Sequence, residues 1–339
     1  MLCQSTACYQ QINLFINDKV QSRKLEIQKT IILVSEVIQD VLKNVEHLEP
    51  RFISTFIQKS DGLFEGLEVH SSHEFEVILY LNQMGVFNFV DDVEFITASG
   101  YLSARKIRSR FQNLVAQTIE KPPFNEKCKF LQEGNEVKLL IYGKYIVQIT
   151  CAFRCNGIWP RSANHWPNPQ IQWPSAQVAK DVRIEGFNLL SKQLNNNNST
   201  NNMMEGDAWM ISMTQAENIL LENNINRRRV FSILKTLRDR HLDFVGSSVN
   251  NYLIKNLVLY ECEKHCSDNE WHDFCIGDRL IGILLQLVSC LQCRRCPHFF
   301  LPQLDLLRGK TTKSLDESAR AVWALVRQLM LDVKSLERL

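Results

Sequence analysis

Two glutamates, Glu74 and Glu76, stand two residues apart in the segment Glu74-Phe-Glu-Val-Ile-Leu-Tyr-Leu81, whose alternation predicts a strand. On a strand Glu74, Glu76 and Ile78 share one face, and Phe75, Val77 and Leu79 the other. Two carboxylates that close repel each other unless a cation lies between them. Hard divalent ions such as Mg²⁺ take such oxygen ligands together with substrate phosphates. Two-metal phosphoryl transfer usually adds a third acid. On spacing alone, an exposed strand face with two solvated glutamates is the better reading.

Other residues invite metal or phosphate chemistry. The group Cys290, Cys293, Cys296 and His298 looks zinc-like, but i, i+3 and i+6 on a helix do not converge, so packing at a helix end is the better reading. Cys262, His265, Cys266, His272 and Cys275 form a looser set, read the same way, and no zinc is expected. Eleven cysteines, with no apolar segment after a basic start in the first twenty residues, point to free thiols or metal ligands and not to disulfides. Arg105, Lys106, Arg108 and Arg110 make one basic cluster; Arg227, Arg228, Arg229, Lys235, Arg238 and Arg240 make another. Each is either a solvated helix face or a phosphate-binding surface for nucleotide or nucleic acid. Arg227 to Arg229 also carry a weak nuclear-import signal. His165 reads as a structural histidine.

The elements that must position these groups follow from periodicity. Tyr9 to Val45 contains no Pro or Gly and repeats apolar residues at helical spacing, predicting one long spine helix or two collinear ones packed against both lobes. Ser103 to Glu120 predicts a basic amphipathic helix, and Val137 to Phe153 a hairpin turning at Gly143-Lys144. The Pro- and Trp-rich stretch 157–174 predicts an ordered loop packed between lobes. Helices are predicted near 212–223, 227–242, 249–264, 276–292 and 315–336. The apolar run Leu280 to Leu291 is too short to span a bilayer and reads as buried, so no membrane is expected. These elements imply an α+β fold: residues 1–190 carry the spine helix and an α/β lobe, 191–206 an Asn-rich loop, and 207–339 a helical lobe. A net charge of +2 leaves polyanion binding to local patches.

The stretch SDGLFEGLEVHSSHEFEVILYL from Ser60 resembles the nucleotidyltransferase signature of the cyclic GMP-AMP synthase superfamily, in which a Gly-Ser turn precedes acid-x-acid on a strand. More closely, the chain resembles the male-abnormal (Mab-twenty-one) family. The matching runs include EPRFIS (49–54), FEGLEV (64–69), EFEVILYLNQMGVFNFVDD (74–92), EFITASGYLSARKIRSRF (94–111), GIWPRSANHWP (157–167), SILKTLRDRHL (232–242) and GDRLIGILLQLVSCLQCRRCPHFFLP (277–302).

The resemblance implies a bilobal nucleotidyltransferase-type fold that binds a nucleoside triphosphate and Mg²⁺ between its lobes. It implies Glu74 and Glu76 as the metal pair and Phe64, Glu65, Gly66 and Leu67 as the turn bordering the triphosphate. Arg23 and Lys24 on the spine helix, with Arg228, Ser232, Ile233, Leu234 and Lys235 on a later helix, are implied as the nucleotide wall. It further implies a developmental role in cell fate and patterning, and a nuclear or mixed nuclear and cytoplasmic location. Three departures argue against strong catalysis. Asp61-Gly62 stands where Gly-Ser is expected, and Gln148 where the third acid belongs. Asp92 runs straight into Val93-Glu94 where the family carries extra sequence, which predicts a weakened sheet or a disrupted lobe there. Ala208 to Arg229 holds neither Cys nor His, so the zinc insertion of DNA-sensing members is not expected. Protein partners are not legible.

Overall fold

The computed structural model describes residues 6–53, 55–58, 64–81, 89, 93–131, 136–192 and 207–331. The turn at Asp61-Gly62, the junction after Asp92 and the Asn-rich run lie outside them. The chain divides into two compact units that interleave in sequence, where a sequential division was expected. One comprises Glu26–Asn156 and Phe187–Ser212; the other comprises Met1–Leu25, Gly157–Gly186 and Met213–Leu339.

The first is a sheet unit. Its strands are β1 (Leu67–Val69), β2 (Glu74–Tyr80), β3 (Cys128–Phe130), β4 (Val137–Ile141), β5 (Tyr145–Cys155), β6 (Phe187–Leu190) and β7 (Met210–Ser212). They form a mixed seven-stranded sheet in the order β1-β2-β5-β4-β3, with β6 added to the far half of β5 and β7 to β6. Among the described strands, only β2 and β5 pair in parallel, from Glu74↔Ile146 to Tyr80↔Ala152. The predicted hairpin is β4–β5, and its turn uses positive φ at Tyr142 and Gly143. Along the whole described length of β2 the sheet is continuous.

The alternation read in β2 decides which side is covered. Phe75, Val77 and Leu79 face a core shared with Val137, Leu139, Ile141, Val147 and Ile149. Two helices add to that core: α2 (Gln21–Leu48) through Val34, Ile38, Val41, Leu42 and Val45, and α3 (Ala104–Ile119) through Ile107, Phe111, Leu114 and Val115. Each such side chain contributes about 1.5–3 kcal/mol when fully buried. Helix α3 starts where the Ser103 hydroxyl accepts from Lys106 N–H at 3.1 Å, an N-cap. On the opposite face Ile78, Tyr80, Ala152 and Leu190 form a smaller cluster with Met210.

The second unit is helical. The spine begins as α1 (Thr6–Phe15), passes through a π turn at Ile16–Val20, and continues as α2, of which residues up to Leu25 belong here. After the four-residue α4 (Phe124–Lys127) of the sheet unit come α5 (Ala176–Glu185), α6 (Thr214–Glu222), α7 (Ile225–Leu237), α8 (Asn251–Lys264), α9 (Ile276–Cys293) and α10 (Thr312–Leu331). The aromatic loop is ordered and belongs wholly to this unit. Trp166 and Trp173 are buried, and Trp159 and Trp166 pack edge-on against Phe300. The segment Asp273–Cys293 is longer than the apolar run read from sequence, and by length and composition it reaches a membrane span. Its Leu280, Ile283, Leu284, Leu287 and Leu291 are buried within the unit, as in a core helix.

Candidate metal and nucleotide site

The hairpin of β1 and β2 turns through residues 70–73, closed where His70 N–H and Ser71 N–H donate to the Glu74 carbonyl at 3.0 and 3.1 Å. Gly66 sets its entry. Its φ is +75°, and a Cβ there would stand 2.2 Å from the Ile78 carbonyl oxygen. Only glycine permits that approach, and the Ile78 N–H donates to the Gly66 carbonyl at 2.8 Å.

This hairpin separates the two predicted carboxylates by environment. Glu76 is 2% exposed, whereas Glu74 stands exposed at the strand's start. Glu76 is satisfied on all sides. Thr150 Oγ1 donates to Oε1 at 2.7 Å, His70 Nε2 lies 3.1 Å from Oε2, and Lys192 Nζ lies 2.7 Å from both oxygens. Burial alone would raise its pKa, but His70, Lys192 and Thr150 together hold it down at about 2. Glu76 is therefore a fixed anion.

The register places Glu68 and Gln148 on either side of Glu76, across β1 and β5. Among the described residues, the one group of three acid, His or Cys ligand atoms lying within 4.8 Å of one another is Glu68, His70 and Glu76. Glu74 is outside it. Reading the sequence missed Glu68, His70, Thr150 and Lys192. The first two were within reach, since Leu67-Glu-Val-His70 carries the same i, i+2 spacing as Glu74-Phe-Glu76. Lys192 lies too far along the chain for any local pattern to place it.

The turn residues have structural work. Phe64 stacks on Phe56 with centroids 5.0 Å apart, and Glu65 pairs with Arg154, whose guanidinium lies 4.0 Å from the Tyr80 ring. Leu67 packs against the main core.

The expected nucleotide wall lies in the helical unit. Arg23 pairs with Asp239 at 2.6 Å, and Lys24 is exposed. On α7, Arg228 is exposed and Ser232 half-buried, its carbonyl accepting from Thr236 Oγ1 at 3.0 Å. Ile233 and Leu234 are core residues at 1% exposure. Lys235 Nζ lies 4.5 Å from the Phe231 ring. Burial, Arg23 and Lys255 push its pKa down to about 8, against the pull of Asp239.

Most members of the two basic clusters have internal partners. Arg105 pairs with Asp207, Lys106 donates to the Ile96 carbonyl, buried Arg108 donates to the Ser191 carbonyl at 2.6 Å, and Arg110 pairs with Glu49. Arg227 is buried near Trp173 and Trp271 and pairs with Asp268, Arg229 pairs with Asp273, and Arg238 pairs with Asp239 and Asp243. Of the triple-arginine import patch, only Arg228 is exposed. Of the first cysteine group, Cys290 and Cys296 lie side by side and share a hydrogen bond. Cys296 is buried and Cys293 exposed. His298 Nδ1 accepts from Phe300 N–H and Leu301 N–H while Nε2 meets Tyr252 Oη at 2.7 Å, a buried neutral imidazole. His265 contacts Glu261 and Glu270.

Comparison with known proteins gives these residues a lineage. Residues 63–223 match the Mab-21 protein nucleotidyltransferase domain, and residues 226–324 the Mab-21 protein HhH/H2TH-like domain. The chain is 53% identical to "Protein male abnormal 21" of Caenorhabditis elegans over 356 positions, covering 97% of each chain, and equally to its Caenorhabditis briggsae counterpart. It is 51% identical to "Protein mab-21-like" of Drosophila pseudoobscura pseudoobscura over 364 positions, covering all of this chain and 98% of the other. That alignment is longer than the 339 residues here, so the relative holds residues with no counterpart in this chain. The match at both domains and along the whole length means that the chain belongs to the Mab-21 family and carries its nucleotidyltransferase-type α+β fold.

Proposed function

We propose that this protein is a developmental regulator that uses a nucleotidyltransferase scaffold to bind a nucleoside triphosphate with a divalent cation, and that it turns the nucleotide over weakly or not at all. The observation that carries this reading is the row Glu68, Glu76, Gln148 across three adjacent strands, with Lys192 seated on Glu76. Glu76 is ionised and fits a cation, and Glu74 projects from the same strand face nearer solvent. Their oxygens suit Mg²⁺, which would neutralise charge on nucleotide phosphates when bound. Gln148 supplies no charge where a third acid would stand, and Lys192 already neutralises one carboxylate. This donor set fits one divalent ion better than two.

Arg23, Lys24, Arg228, Ser232 and Lys235 form a separate basic and polar group suited to phosphates. The developmental role and the nuclear location rest on family membership; no residue carries them. The test is incubation of the purified protein with ATP, GTP or CTP and Mg²⁺, followed by product analysis. Nucleotide binding without product is expected. Turnover that disappears on Glu74→Ala plus Glu76→Ala would contradict the reading and establish an active nucleotidyltransferase. Imaging a tagged chain tests the location; exclusion from the nucleus would refute that part.

A further inference from the structure

Glu68 stands on β1, His70 directly after its end at the start of the turn, and Glu76 at the position of β2 facing Glu68. One ligand atom from each lies within 4.8 Å of the other two, and His70 Nε2 is already 3.1 Å from a Glu76 oxygen. Directly opposed carboxylates on neighbouring strands disfavour the pairing unless a positive charge is shared between them. Lys192 Nζ supplies a positive charge on the Glu76 side, 2.7 Å from both of its oxygens. That ammonium stands where a metal ion bridging the carboxylate would stand. Its side chain is 23% exposed, so its flexible stem can carry the charge back into water. Thr150, bonded to the other side of Glu76, fixes the carboxylate in place, as partners behind a metal ligand do.

The donor set is two carboxylates and one imidazole, not the all-oxygen set that Mg²⁺ prefers. Imidazole with carboxylate suits Zn²⁺ and Co²⁺, which accept three protein ligands and leave one position open. We propose that the β1–β2 hairpin binds one Zn²⁺- or Co²⁺-class ion through Glu68, His70 and Glu76, with Lys192 as an internal cation that the metal displaces. This shares Glu76 with the nucleotide reading above, and it requires neither nucleotide nor Glu74.

The test uses the full chain, stripped with a chelator and titrated with Co²⁺ in the absence of nucleotide, followed by visible absorption and calorimetry. One equivalent should bind with oxygen- and nitrogen-ligand d–d bands, be displaced by Zn²⁺, and resist millimolar Mg²⁺. Glu68→Gln and His70→Gln should each weaken binding by about tenfold or more. Lys192→Gln should strengthen it, because the competing ammonium is gone. His70→Gln keeps an N–H donor for Glu76, so the variant should stay folded by circular dichroism, and its binding loss then reads the metal site and not unfolding. The proposal is overturned if no site titrates, if thiolate charge-transfer bands dominate and place the ion on cysteines, if Mg²⁺ displaces Co²⁺ at equal concentration, or if Lys192→Gln weakens binding. Such a failure alongside an intact Mg²⁺-nucleotide thermal shift would refute this site alone.

Discussion

Glu76 shows how one buried charge is made tolerable. Removing a carboxylate from water is costly, and two cationic or polar partners plus a hydroxyl compensate for it. The folded pKa of about 2 lies below the ordinary 4.5. The unfolded chain therefore binds more protons between these values, and the stabilisation, complete above about pH 4.5, is lost as pH falls toward 2. Glu76→Gln should cost about 1–3 kcal/mol at pH 7, since Lys192 can escape to water, and chemical denaturation should show that difference shrinking below pH 4.5. Lys235 is the opposite case. Its amine is depressed to about 8, so its acylation, limited by burial at every pH, should level off above pH 8 while exposed lysines of ordinary pKa still gain, as peptide mass mapping across pH would show. A bound triphosphate would restore its charge and slow that labelling; an unchanged rate with saturating nucleotide would remove Lys235 from the phosphate-binding group.

The hairpin β1–β2 is the element on which the site depends. Gly66→Ala adds a Cβ that meets the Ile78 carbonyl and strains a positive-φ residue. It should destabilise the chain by about 2–4 kcal/mol in denaturant titration, well above a surface Gly→Ala change. Alternation and helical spacing were enough to locate β2, the β4–β5 hairpin, α3 and the helices α6 to α10, because each buries one face against a core, while α5 went unread. Position along the chain could not show how the units interleave, because residues 157–186 join the helical unit through Trp166, Trp173 and Phe300. Nor could it show the true neighbours of Glu76, since register across β1, β2 and β5 and the placement of Lys192 are tertiary facts. The partners of the basic clusters were hidden for a related reason: sequence counts charges, and Asp207, Glu49, Asp268 and Asp273 are brought to them by the fold.

For the molecule as a whole, these internal pairings bear on partners. The net charge is only +2, and most arginines of the two clusters have internal ion-pair or hydrogen-bond partners. Arg108→Ala should act on stability, by about 2–4 kcal/mol, because the side chain is buried and bonded to Ser191. Its effect on the salt dependence of any nucleic-acid binding should be negligible; a slope reduced by about one would instead identify a phosphate contact. The central claim, an ionised Glu76 that holds a cation and nucleotide phosphates, is tested most directly by thermal unfolding with a panel of nucleoside triphosphates and Mg²⁺. A ligand bound only by the folded state stabilises it by about 2.7 kcal/mol at a hundredfold excess over Kd. At least one nucleotide should raise the melting temperature of the wild-type chain, and Glu76→Gln, still folded, should lose that rise. A panel that leaves the wild type unmoved, or an equal rise in the variant, would contradict it.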